Sequence, residues 1–401
     1  MYLTETHQIR PNHKLYSICD ELCFKSKNLY NAALFKFRQS FFDKTADTLS
    51  WQDIRKIFNR SNQFDYRELP TKVSGDVLKK LGDNISSFWG LVKKSDYNKK
   101  VKLPNYLHKT NGRFVVEFNK QTFSNKRDEG NNLVICKTSL NLRIPTKVER
   151  PQQVRIVPKV GCYIIEIVYK MKENQPKQSQ RVASIDLGLN NLATIVTNDG
   201  ENPILISGKK IKSINQYYNK ITSKKKALLP YNVFTSKSLD RLWLKRNNKI
   251  SYEIHKITKF LANYFDERDV SKVVIGNNGD WKNGINIGKR NNQNFVSIPY
   301  LKFINQLTYK CKLLGIVVVT REESYTSKAS FLDYDEVPNY KDETIKHKFS
   351  GKRIKRGLYK STTRKINADV NGAYNIMVKE DLNYIIGSRE QLGFNPTLIK
   401  L

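Results

Sequence analysis

The sequence predicts an α+β chain of more than one domain. A helical apolar period runs through its first quarter, short alternating runs follow up to about residue 170, and strand-like and helix-like runs then take turns. The 401 residues leave room for two or three domains, since domains commonly run about 100–200 residues. The expected architecture is an α/β domain in the C-terminal half. In the N-terminal half it is a small antiparallel β-barrel with a helical domain inserted in it.

Charge sets the partner class. Lys and Arg number 71 against 37 Asp and Glu, a net +34, which self-repels unless a polyanion answers it. The 21 Tyr and 19 Phe argue for a folded body rather than a disordered basic tail. Nothing near the start resembles a signal peptide, and no apolar run approaches the ~20 residues of a membrane span, so a cytosolic setting is expected. Cys19, Cys23, Cys136, Cys162 and Cys311 form no CxxC pair. Cys19 and Cys23, one helical turn apart, are expected to pack in a core.

Residues 1–10 alternate weakly and read as one strand. From about Lys14 the period becomes helical, with Leu15, Ile18, Cys19, Leu22, Leu29, Ala33 and Phe37 recurring at threes and fours. Lys25, Lys27, Lys36 and Arg38 lie on the other face, as solvated positions would. Further helices are expected at Trp51–Phe58 and Val73–Val92, the latter entered through Pro70 and Thr71. Residues 11–98 therefore read as the helical domain. After a composition shift near residue 99, FVVEF, LVIC, LRIP, VRIV and YIIEIVY are separated by Asn, Gly, Pro and Lys. With residues 1–10, the stretch 99–175 makes the expected barrel. Residues 171–181 have a linker's composition.

VASIDLGLNNLATIVT (182–197) begins the second half. Asp186 interrupts a buried apolar strand just before Gly188. An unpaired carboxylate there costs several kcal/mol, so it is held by hydrogen bonds or neutralised by a metal ion. Asn190 and Asn191 supply turn chemistry, and Leu192–Val196 read as the returning strand. Ile204–Ser207 is a third strand, followed by a long polar segment with a lysine run at Lys224–Lys226. A helix is expected over 238–265, a strand at Lys272–Ile275, a helix over 298–314 and a strand at Ile316–Thr320. Three strands, helix, strand, helix, strand is the order of an RNase H-like nuclease.

Two further acidic positions join Asp186. Asp369 opens an apolar helix in NADVNGAYNI (367–376), where it serves as a plain N-cap or, with small and amide neighbours around it, as a site residue. Glu322 and Glu323 follow the fifth strand. Strand alternation sends one of them toward the Asp186 side.

SIDLGLNNLAT (184–194), SYTSKAS (324–330) and NADVNGAYNI (367–376) resemble the first RuvC motif, the TS-containing segment and the third RuvC motif of the TnpB (OrfB) family. These are transposon-encoded RNA-guided DNA endonucleases related to the type V CRISPR effectors. The resemblance implies a wedge-like barrel (1–10 and 99–175), a helical recognition domain (11–98), a RuvC-like nuclease domain (181–327 and 366–385), an insertion (328–365) and a C-terminal tail (386–401). Two departures qualify it. The family's glutamate at the end of the fourth strand is replaced by Gly276, with Asp280 four residues on. The expected substitute is Glu323, with Glu322 second, because neighbouring parallel strands end at one edge of the sheet. The family's zinc-ribbon cysteines are also absent: Ser330 and Asp333 stand in the first pair's places, and His347 alone cannot build a four-ligand site. The insertion is therefore expected to hold no zinc.

The resemblance implies that Asp186, Glu323 and Asp369 hold two Mg²⁺ or Mn²⁺ ions that activate water for phosphodiester cleavage. A guide RNA would select double-stranded target DNA, with one protomer on one RNA. Tyr30, Asn31, Gln39 and Lys72 are candidate contacts to a flanking duplex motif. Lys352, Arg353, Lys355 and Arg356 lie in a basic strap for phosphate backbone. A nuclease-inactive RNA-guided DNA-binding protein and a DNA transposase accessory protein are the alternative readings.

Overall fold

The computed structural model describes residues 1–401 except 44, 46, 95–100, 137–139, 141, 278–292, 294, 295, 340–346, 386 and 387, with backbone alone at 124–126. Asp280 lies outside the described residues. The chain divides into two compact units, Met1–Met171 and Lys172–Leu401.

In the first unit, strand β1 (Tyr2–Ile9) precedes helices α1 (Tyr16–Phe42), α2 (Trp51–Arg60), α3 (Phe64–Arg67) and α4 (Thr71–Lys94). Six strands follow: β2 (Val116–Asn119), β3 (Phe123–Arg127), β4 (Asn132–Ile135), β5 (Leu142–Pro145), β6 (Pro151–Lys159) and β7 (Cys162–Lys170). Strand β1 pairs antiparallel with β7 along its whole length, from Tyr2 opposite Lys170 to Ile9 opposite Tyr163. The helices therefore leave and re-enter between two strands of one sheet. Cys19 and Cys23 are buried on α1 with Leu22, Leu29, Leu34 and Phe37, against Ile54 of α2 and Leu78 of α4. Helix α2 starts at a capping box in which the Ser50 hydroxyl accepts from Asp53 N and the Asp53 carboxylate accepts from Ser50 N.

The barrel expectation needs correction. The strands form two open antiparallel sheets, β1-β7-β6-β2 and β3-β4-β5, and no closed barrel is present among the described residues. Closure requires a continuous ladder around the ring. Here the chain leaves β2 through a 3₁₀ turn at Lys120–Thr122 and starts a separate ladder in β3, whose polar sequence FSNKR had shown no strand alternation.

The second unit is built on a six-stranded sheet in the order β12-β11-β8-β9-β10-β16. Its strands are β8 (Val182–Leu187), β9 (Asn191–Thr197), β10 (Ile204–Ser207), β11 (Lys272–Gly276), β12 (Val317–Arg321) and β16 (Thr397–Ile399). Strands β8, β11 and β12 are mutually parallel, so they end at one edge. Helices α6 (Lys237–Glu267) and α7 (Tyr300–Leu313) cover the face carrying Ala183, Ile185 and Leu187. Helix α8 (Ala368–Glu380) packs through Ile376 on the opposite face, against Val182 and Val274, and through Val370 and Ala373 against Val196. Alternation along β8 thus turns Ser184 and Asp186 toward α8. The Ser184 hydroxyl donates to the carbonyl of Ala373 at 2.5 Å.

Two elements differ from the sequence reading. Residues 209–226, expected as a polar segment, form helix α5 (Lys209–Lys226). It buries only Ile211 and Asn215, so it carried no apolar stripe to read. The C-terminal tail supplies β16, parallel to β10. Within the insertion, β13 (Lys352–Lys355), β14 (Leu358–Lys360) and β15 (Lys365–Asn367) form a small antiparallel sheet leading into α8.

Candidate active site

The carboxylates converge at the edge where β8, β11 and β12 end. Asp186 pairs with Thr194 in the β8–β9 ladder and faces Gly372, where an added Cβ would lie 3.0 Å from Asp186 Oδ2. Gly372 therefore leaves the room that the carboxylate uses. Burial and the nearby Asp369 charge push the Asp186 carboxyl up to about 8, with Arg353 acting in the opposite direction.

Asp369 sits in the first turn of α8 but does not cap it. Asn367 is the N-cap, its side-chain oxygen accepting from the amides of Asp369 (2.9 Å) and Val370 (3.2 Å). The Asp369 side chain is left to accept from Asn191 Nδ2 at 2.8 Å and from Arg353 at 3.3 Å.

Gly276 and Glu323 share one space. A Cβ at Gly276 would lie 2.7 Å from Glu323 Oε2 and 2.6 Å from Ile376 Cδ1. Tyr300, the first residue of α7, donates its hydroxyl to Gly188 O at 3.0 Å. Its ionisation is pushed upward by burial first and then by the charges of Asp186 and Glu323. Glu322 is engaged elsewhere, accepting from Lys379 Nζ at 2.5 Å and from Ser324 N at 2.7 Å. Burial works to raise its carboxyl, but these hydrogen bonds outweigh burial and hold it below the usual range.

The asparagines of NADVNGAYNI have another task. Asn371 donates to Ala329 O at 2.8 Å and accepts from Phe331 N at 3.0 Å, and Asn375 donates to Thr326 O at 2.9 Å and Ala329 O at 2.8 Å. Helix α8 thereby fixes the SYTSKAS turn. Thr326 in turn donates to the Glu323 carbonyl at 2.8 Å, which sets the backbone of Glu323. Ser330 and Asp333 are likewise hydrogen-bonded, Oγ to Oδ2 at 2.5 Å, and Asp333 also accepts from Thr362 N at 3.1 Å.

Two of the proposed duplex contacts are spent on the fold. Tyr30 is buried against Phe114, with its hydroxyl accepting from Asn84 at 3.0 Å. Asn31 exchanges two 2.9 Å hydrogen bonds with the backbone of Leu107. A helical stripe shows which face is polar but not which polar groups another segment will cover. Gln39 and Lys72 are exposed, as are Lys352, Arg353, Lys355 and Arg356 on the β13–β14 hairpin.

Among the described residues no three His, Cys, Asp or Glu side chains close into a metal cage, and Arg353 supplies the positive charge beside Asp369. The donors nonetheless fit a hard divalent cation. Asp186 and Asp369 are oxygen donors that repel one another, and the glycine at 372 leaves open volume against the first of them. Sequence reasoning missed Tyr300 and Lys379. Each matters only through residues distant in the chain, Tyr300 through Gly188 and Lys379 through Glu322.

Fold and site define an α/β protein with carboxylates gathered at the carboxyl edge of its parallel strands. Comparison with known proteins is consistent with this. Residues 146–282 match a family model described as a probable transposase (OrfB_IS605), and residues 300–376 match the Cas12f1-like TNB domain. The TnpB-like protein ORF457 of Acidianus two-tailed virus is 23% identical over 398 residues, covering 88% of this chain and 81% of that protein. The cryo-EM structure of a Cas12f1–sgRNA–target DNA complex superposes with a TM-score of 0.54 at 16% identity, over 90% of this chain and 82% of the Cas12f1 chain. The resemblance to the TnpB (OrfB) family, and to type V effectors of the Cas12f kind, is thereby shown. Among the described residues no helix is long and apolar enough to cross a membrane.

Proposed function

We propose that the chain is an RNA-guided, metal-dependent DNA endonuclease with an RNase H-like, RuvC-type site. A guide RNA and double-stranded target DNA would be its partners. The observation that carries this reading is the position of the Glu323 carboxylate at the edge where β8, β11 and β12 end. This carboxylate fills the space over Gly276, and its charge acts with that of Asp186 on the Tyr300 hydroxyl.

Asp186, Glu323 and Asp369 would hold Mg²⁺ or Mn²⁺, which when bound supplies Lewis-acid activation of water and charge stabilisation at the departing oxygen. The chain's own residues prepare the site. Asn191 orients Asp369, and Gly372 clears space for Asp186. Tyr300 is tied to Gly188 O beyond the Asp186 strand, and the Thr326 hydroxyl holds the carbonyl of Glu323. Arg353, beside Asp369, is placed to meet a phosphate oxygen. Helix α8 brings its positively polarised N-terminus to the same edge, which favours carboxylate and phosphate alike.

The test is cleavage of target plasmid by the protein co-purified with its RNA, in Mg²⁺ and in EDTA. Cleavage should require Mg²⁺ and be lost in Asp186→Asn and Glu323→Ala. Cleavage in EDTA would overturn the metal reading. RNA-dependent target binding without cleavage in any divalent ion would leave a nuclease-inactive DNA-binding protein instead.

A further inference from the structure

The least expected surface in the second unit is the far end of the α5–α6 hairpin. Strand β10 runs parallel to β8, so it too ends at the edge bearing the carboxylates, with Ser207 opposite Asn191. Helix α5 starts there, bolted to the turn after Asp186. Gly208 N donates to Asn190 O at 2.7 Å, and Lys212 Nζ reaches Asn190 Oδ1 at 3.2 Å. Only the base of the hairpin touches the core. Helix α5 buries Ile211 and Asn215, while α6 buries Leu239 and then nothing until Ile250. Residues 216–226 therefore rise from the edge as an arm, about 16 Å long at 1.5 Å per residue.

The chemistry of this arm is one-sided. Residues 209–249 contain one acid, Asp240, whose carboxylate accepts from Thr235 at 3.0 Å. Lys220, Lys224, Lys226, Lys237, Arg241, Lys245 and Lys249 are exposed. At the tip, where a polar loop is the ordinary choice, Leu228, Tyr231 and Phe234 are 84%, 93% and 81% exposed. Tyr217 and Trp243 continue the aromatic exposure along the two helices. Rings held out among lysines match a polyanion whose bases are free to stack. A second copy of this chain is disfavoured because each carries +34. Paired duplex bases are already stacked, so rings reach them only where strands are separated.

We propose that the tip, residues 228–234, is a stacking site for unpaired bases of the DNA strand led to the carboxylates, with the arm's lysines tracking its phosphates. The choice of DNA rests on the endonuclease reading, because the arm rises from the edge where the cut strand would lie. Stacking itself needs no metal and no cleavage, so it can be measured independently.

The test uses the full chain in EDTA with fluorescein-labelled oligothymidine for affinity and a 2-aminopurine oligonucleotide for stacking. Tyr231→Ala/Phe234→Ala should bind the single strand at least about thirtyfold more weakly, as expected for two lost base–aromatic stacks. It should also lose 2-aminopurine quenching and keep the salt dependence, because no cation is removed. Tyr231→Trp/Phe234→Trp should retain affinity and quenching. Lys224→Gln/Lys226→Gln should instead flatten the salt dependence. The proposal is overturned if the alanine pair binds and quenches like wild type, or if single-strand and duplex affinities fall in parallel. It is equally overturned if light scattering shows that the alanine pair breaks a dimer while leaving single-strand binding intact. If plasmid cleavage fails under every condition but these results hold, the stacking site stands and the endonuclease reading falls.

Discussion

The carboxylate of Glu323 lies where a side chain at Gly276 would begin, with Oε2 2.7 Å from the position of that missing Cβ. The two positions are neighbours across the parallel β11–β12 pair, where Gly276 is in register with Arg321. The carboxylate just past the end of β12 thus occupies the space that a side chain at the end of β11 would need, on condition that residue 276 has none.

This exclusion predicts a swap. Glu323→Ala should lower cleavage by more than about a hundredfold, since even residues that only support metal ligands cost 10–100-fold. Gly276→Glu alone should also be impaired, because two carboxylates cannot share the space. Gly276→Glu combined with Glu323→Ala should recover at least tenfold over Glu323→Ala. Plasmid cleavage rates of the three variants check this, and a double variant no better than the single would refute the shared-space argument.

Glu322 should behave differently. Its bonds to Lys379 and Ser324 make it a local structural acid, so Glu322→Gln should keep cleavage within about threefold of wild type. Because its carboxyl is held below the usual range, the stability it contributes is present above about pH 4.5 and lost as pH falls through its lowered folded value. Melting curves of Glu322→Gln and wild type should therefore converge toward acid pH. A gap that widened below pH 4 would contradict the assignment.

Asp186 carries the opposite sign. Its carboxyl is raised from 3.8 to about 8, so the folded chain keeps a proton that the unfolded chain releases. Stability is lost as pH rises through that window. In divalent-free buffer Asp186→Asn should melt several degrees above wild type at pH 8 and close to it at pH 4. Mg²⁺ should narrow the difference by stabilising wild type alone. Equal melting temperatures at pH 8 would show that this carboxylate is not strained.

Gly372 separates stability from activity. Alanine in its place should gain up to about 1 kcal/mol of helix propensity. Its Cβ, 3.0 Å from Asp186 Oδ2, should push that carboxylate aside and lower cleavage about tenfold or more. Thermal melting and cleavage of Gly372→Ala measure the two effects, and unchanged cleavage would mean that the room beside Asp186 is not used.

The C-terminal half was largely legible in the sequence because its signals are local. An acid interrupting an apolar strand marked Asp186, the alternation of periods gave the order of β8 to β12, and the apolar run after Asn367 marked α8. The N-terminal half was less so. Short alternating runs showed that strands exist, but sheet closure depends on which edges meet, and the chain stops its first ladder at β2. Helix α5 was hidden because it buries almost nothing, and Tyr30 was misread because Asn84 and Phe114 cover it from remote segments.

By itself the sequence determined which residue types the candidate site can draw on and the order of strands and helices along the chain. Charge, period and turn chemistry act between near neighbours, so they can be read along the chain. Only the tertiary structure decided which glutamate turns inward. Two adjacent acids past the end of a strand have no alternation left to separate them, and the choice was made by Lys379 waiting for Glu322 and by the empty space over Gly276 left for Glu323.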